Sequence, residues 1–181
     1  MRPLTWLGRL FPRSTRVDVV ETRAHFDVPP EAVWERMMFY EEVPGRPPPL
    51  LRLFLPAPLR TEGDKTRAGA IVKCNYDDGY LEKRITEVGR ATFVRFEVLV
   101  QRLGIEDCIT MSDGAYELRP EGDGCELVLS TRYVGHLRPR WLFRAFESFL
   151  AHRMHEHILQ GMRVSLRPPQ LAVAIADRQA P

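Results

Sequence analysis

The chain has 181 residues, 44% hydrophobic and 28% charged, with a formal net charge of +2; that is the size of one globular domain. It contains no long basic run, so the electrostatic footprint of a nucleic-acid binder is missing and no nucleic-acid partner is expected. No apolar run approaches the ~20 residues of a membrane-spanning helix, and Cys74, Cys108 and Cys125 show no CxxC spacing, as expected of reduced thiols in a cytoplasmic compartment.

Met1–Arg16 carries four arginines and no acid among Leu4, Trp6, Leu7, Leu10 and Phe11. Arg9 and Pro12 break its apolar core, which makes it a poor secretory signal. Residues 1–15 are expected to be a tail or a short amphipathic segment. Arg16–Val28 reads as the first strand, because Val20, Thr22, Ala24, Phe26 and Val28 alternate with charged neighbours. Pro29-Pro30 end it and open a short helix over Glu31–Phe39, with Val33, Trp34, Met37 and Met38 as its apolar face.

Tyr40–Gly69 is crowded with prolines around Leu50–Leu55, and prolines forbid a long regular element. Its apolar cluster suits a loop pinned on the core, a lid over a cavity mouth, or a patch that touches membrane. Five strands follow: Ala70–Tyr76, Tyr80–Val88, Thr92–Arg102, Cys108–Leu118 and Cys125–Val134. Short turns at Asp77-Asp78-Gly79 and Glu121–Gly124 make them an antiparallel meander, and Asp113-Gly114 predicts a bend inside the fourth.

Pro139–Leu166 has sustained helical periodicity, and Pro168-Pro169 stop it. At ~1.5 Å per residue it spans roughly 40 Å, enough to cross a small domain. One stripe runs through Trp141, Ala145, Ser148, His152, His155, Leu159, Met162 and Leu166; a rival runs through Phe143, Phe146, Leu150, Met154 and His157. The first is expected to face the sheet, with its small and polar middle leaving a space there. Residues 167–181 read as a tail. A strand, short helices, a meander and one long helix define an α+β domain over residues 16–166, with the long helix covering the concave face of the sheet.

This order resembles the helix-grip (SRPBCC) superfamily, which includes the Bet v 1-like, START-related and polyketide cyclase-like proteins. Three pieces carry the resemblance: the first strand running into Val28–Met37 (VPPEAVWERM), the hairpin-rich middle ending at Leu129–Pro139 (LSTRYVGHLRP), and the terminal helix. It covers roughly residues 16–166 and has no invariant catalytic motif. It implies a curved antiparallel sheet gripping the long helix, with a mostly apolar ligand cavity between them. It also implies that the proline-rich segment edges the cavity mouth.

The candidate ligand-binding residues are Ser148, His152 and His155 in the middle of the helix, Tyr80 and Arg84 on one strand face, and Phe96, Thr131 and Tyr133 on inward faces. Leu53 and Phe54 join them from the proline-rich segment. His157 points away from the other two histidines. A His152–His155 pair, even with Glu156, falls short of the three or four ligands of a zinc site, so no metal is expected. No GxSxG and no phosphate-cradling glycine loop are present, which argues against a nucleophile triad and against a cofactor.

These readings lead to a binding protein for a hydrophobic or amphipathic small molecule. One rival is a cyclase, aromatase or dehydratase with a cavity histidine as acid or base. Another is a peripheral membrane chaperone for a lipid or quinone, touching the bilayer with the N-terminus and Leu50–Leu55. Oligomeric state is not legible in the sequence.

Overall fold

The computed structural model describes residues 14–39 and 47–166. The elements are β1 (Val17–Phe26), α1 (Pro30–Phe39), α2 (Pro49–Phe54), β2 (Pro58–Glu62), β3 (Ile71–Tyr76), β4 (Gly79–Gly89), β5 (Phe93–Arg102), β6 (Ile109–Glu121), β7 (Gly124–Gly135) and α3 (Arg140–Leu166). The strands form one seven-stranded sheet in the order β1-β7-β6-β5-β4-β3-β2, and every neighbouring pair is antiparallel. This is the expected α+β helix-grip architecture. The expected tails at residues 1–15 and 167–181 fall almost wholly outside the described residues.

β1 alternates strictly between exposed and buried residues, so its period-2 pattern is realised in full. The inward set is Asp18, Val20, Thr22, Ala24 and Phe26. The main core gathers where Phe26, Trp34, Ile85, Leu127, Leu159 and Met162 meet, so α1 and the C-terminal half of α3 seal one end of the concave face. Full burial of side chains of this size stabilises the fold by about 1.5–3 kcal/mol each.

Two expectations are corrected. Besides one of the expected short helices, the proline-rich segment holds an additional strand, so six strands follow β1 where about five were expected. β2 pairs only with β3, and an edge strand tolerates Pro58 as its first residue. In α2, Leu51 and Phe54 turn inward while Leu50 and Leu53 stay exposed, which fits residues three apart sharing a face.

The second correction concerns the face of α3. Trp141 is 78% exposed, so the Trp141–Leu166 stripe does not face the sheet along its whole length. Its second half does, through His155, Leu159 and Met162. In the first half, Glu147 and Leu150 are buried instead. The cause is electrostatic. Arg140, in the first turn of α3, donates to Glu147 and to Asp18 of β1, each at 2.8 Å, and Arg144 reaches the other Asp18 oxygen at 2.8 Å. This buried cluster fixes the rotation of the helix. Gly135, at the end of β7, makes room for it, since a Cβ there would strike the Glu147 carboxylate and the Arg140 guanidinium.

Candidate functional site

Between the concave sheet and α3 lies an apolar cavity of about 140 Å³, measured for the centres of water-sized spheres. One water needs only about 10–15 Å³ on that measure, so the space is an order of magnitude larger. β4 to β7 supply its floor, including Leu81, Phe96, Val98, Leu129 and Tyr133. α3 supplies the roof through Phe146, Leu150, Ala151, Met154, His155 and Ile158. Phe54 of α2 closes one side, edge-on to Phe146 with ring centroids 5.0 Å apart.

Half of these roof residues come from the rival stripe. Phe146, Leu150 and Met154 look into the cavity, joined by His155. A second lobe of about 110 Å³ opens beside α1, walled by Met37, Met38, Val72, Ile85, Val94 and Met162. Five residues belong to both lobes: Tyr76, Lys83, Phe96, Tyr116 and Ile158. They form a waist between them.

Of the residues expected from the sequence, Phe54, Phe96, Thr131, Tyr133 and His155 line the cavity. Ser148 lines neither lobe. His152 lies in an open groove between β1 and α3, with its side chain 47% exposed and 3.8 Å from Glu156. Leu53 is 54% exposed. Tyr80 and Arg84 stand on the other face of β4, where Tyr80 packs under Lys73 and Arg84 pairs with Glu97 at 2.8 Å. The inward face of β4 is Leu81, Lys83 and Ile85. The residues that sequence reasoning missed include Lys83, Tyr76 and Tyr116. Lys83 had one visible signal, a lone charge alternating with Leu81 and Ile85.

The histidines form a hydrogen-bonded chain. Thr22 Oγ1 lies 2.8 Å from His152 Nδ1 and 3.0 Å from His155 Nδ1, and Thr131 Oγ1 lies 2.9 Å from His155 Nε2. The register explains the fit: Val20 of β1 faces Thr131 of β7, so Thr22 is its diagonal neighbour and one imidazole spans both hydroxyls. Burial, with smaller contributions from His152 and Lys83, pushes the His155 pKa down to about 4. His155 is therefore neutral near pH 7, with one nitrogen donating and the other accepting. Both nitrogens are already engaged by threonines. Among the described residues, no three His, Cys, Asp or Glu side chains gather into a metal-binding group.

Tyr133 and Cys108, also on the wall, are held protonated. Burial first, then Glu147 and Asp18, push the Tyr133 hydroxyl up to about 12. Burial, aided by Asp107, Glu147 and Glu106, pushes the Cys108 thiol up to about 11, so it is no thiolate nucleophile at neutral pH. Burial also raises the pKa of Glu147, against the pull of Arg140, with which its carboxylate keeps an ion pair at 2.8 Å.

No family model matches the chain, and no curated protein matches it by sequence. Solved structures match the fold. The Zhui aromatase/cyclase from Streptomyces sp. R1128 superposes with a TM-score of 0.61 at 16% identity, over 83% of this chain and 94% of that one. Major latex-like protein 151 from Panax ginseng gives 0.56 at 13% identity, over 84% and 99%. Ara h 8.0201 gives 0.50 at 12% identity, over 83% and 98%. The chain thus has the helix-grip fold of the Bet v 1-like and polyketide cyclase-like proteins.

Proposed function

We propose that this protein binds a hydrophobic or amphipathic small molecule between its sheet and α3. The observation that carries the reading is the cavity, an apolar space with few polar groups that the core leaves unfilled. Ligand sites elsewhere have this composition. The candidate contacts are Phe54, Phe96, Thr131, Tyr133 and His155, with Leu150 and Met154 from the roof.

The test is fluorescence titration with N-phenyl-1-naphthylamine, a neutral apolar probe. Saturable binding is expected in the micromolar range, and Ala151→Phe, which fills the roof, should abolish it without changing far-UV circular dichroism. No saturable binding up to solubility would remove the reading.

A second reading, an acid–base enzyme of the cyclase kind, draws on the neutral imidazole of His155 at the wall. Thr131 and Thr22 occupy both ring nitrogens, so proton transfer to a ligand would pass through the Thr131 hydroxyl. That geometry favours binding over turnover. His155→Gln should leave probe binding within about twofold, whereas an acid–base enzyme loses on the order of 10²–10⁴ in rate. A membrane contact through exposed Leu50 and Leu53 of α2 predicts vesicle co-sedimentation that Leu53→Glu removes. Equal recovery of both proteins in the supernatant would dispose of it.

A further inference from the structure

Lys83 is a cation that the protein surrounds with apolar and aromatic groups. Its Nζ sits 4.1 Å from the centroid of the Phe96 ring and against the Cys74 thiol. No carboxylate among the described residues comes within ion-pair distance of it. The two carboxylates on the cavity wall are committed elsewhere: Asp113 to Arg132 at 3.8 Å, Glu147 to Arg140 at 2.8 Å. Gly114 keeps the seat open, since a Cβ there would come within 2.6 Å of Phe96 Cζ and displace the ring under the ammonium.

The ammonium carries three N–H donors, and a thiol sulfur and a ring face are weak partners for them. Burial opposes the charged lysine most; Cys74, Tyr116 and Tyr76 beside it raise its pKa overall, but as full charges they do so only in their ionised forms, so at neutral pH they leave the ammonium without a counter-charge. Burial also raises both tyrosines, so they stay as hydroxyls able to donate. Three donor groups of one sign of polarity therefore meet at the waist, with apolar lobes on either side.

We infer that the waist is a headgroup site for an organic anion, and that the ligand is an amphiphile with an acidic group, such as a carboxylate, paired with Lys83 and an apolar body lying in a lobe. This rests on the cavity reading above. A charged hydrogen bond of this kind is strong enough to change affinity roughly 10–100-fold.

The experiment is displacement of bound N-phenyl-1-naphthylamine by dodecanoate and by its methyl ester, which share a tail and differ in charge. In the wild type, dodecanoate should displace the probe at roughly 10–100-fold lower concentration than the ester. Lys83→Met should close that gap by weakening dodecanoate alone, with the probe and ester unchanged. Lys83→Gln, polar but uncharged, should behave like Lys83→Met and replaces it if the latter does not fold. Equal potency of acid and ester in the wild type would overturn the anion site while leaving the cavity standing. So would a Lys83→Gln variant that keeps the gap, or one that loses probe and acid equally. Failure of the neutral probe to bind any variant would remove the cavity reading itself.

Discussion

Arg140 and Lys83 are two partly buried cations on the inside of the same sheet, and the protein treats them in opposite ways. Arg140 receives two carboxylates, Asp18 and Glu147, each at 2.8 Å. Lys83 receives a ring and a thiol. A buried charge is tolerated when its partners travel with it, and removing one partner costs far more than the pair contributes. The Arg140 end is thus closed by the chain's own residues, while the Lys83 waist is complete only for a ligand that brings the anion.

The same substitution at both cations gives the largest test. Arg140→Met leaves Asp18 and Glu147 buried around an apolar side chain and should cost about 3–5 kcal/mol in urea denaturation. An equal loss from Lys83→Met would break the contrast.

Next comes His155, a third way to bury a base, by keeping it neutral. Its folded pKa is about 4 against 6.5 unfolded, so the unfolded chain binds more protons between those values. Stability should therefore fall as pH drops from about 6.5 to 4, by on the order of 3 kcal/mol, and level off below. His157, also lowered by burial, adds in the same sense; Glu147, raised by burial, opposes it. His155→Leu should flatten that slope, and an unchanged slope would assign it to other groups.

Gly135→Ala presses a methyl into the Arg140–Glu147 pair and should cost about 1–3 kcal/mol, read as a lower urea midpoint at constant m-value. Without ligand, Lys83→Met should change stability least, staying within about 1 kcal/mol of wild type, because the partly buried Lys83 has no carboxylate partner to leave behind. Chemical denaturation of the two variants side by side sharpens the comparison to a difference in size.

Much of this was legible in the sequence. β1 shows its inward face through Val20 to Phe26, and the meander and long helix follow from turns and periodicity. The waist was not, for a physical reason. Neither face of this strand is cleanly apolar, so parity alone does not tell the Lys83 face from that of Tyr80 and Arg84, which proves to be the outer one. The helix was misread for a related reason. Periodicity weighs apolar residues, whereas the rotation of its first turns is set by Asp18, Arg140 and Glu147, which hydropathy assigns to water. His152 and His155 share a stripe, yet the stripe is wider than the contact. His155 is buried against the threonines while His152 looks out.

The imidazole–threonine chain has a direction. Where His152 Nδ1 carries the hydrogen and donates to Thr22, the Thr22 hydroxyl donates in turn to His155 Nδ1. His155 then keeps its hydrogen on Nε2 and donates to Thr131, whose hydroxyl is free to donate into the cavity. With the chain reversed, Thr131 gives its proton to His155 and offers the cavity only lone pairs. The tautomer of an exposed ring thus sets the polarity of a hydroxyl on the inner wall, and the nitrogen shifts of His155 report which way the chain is wound.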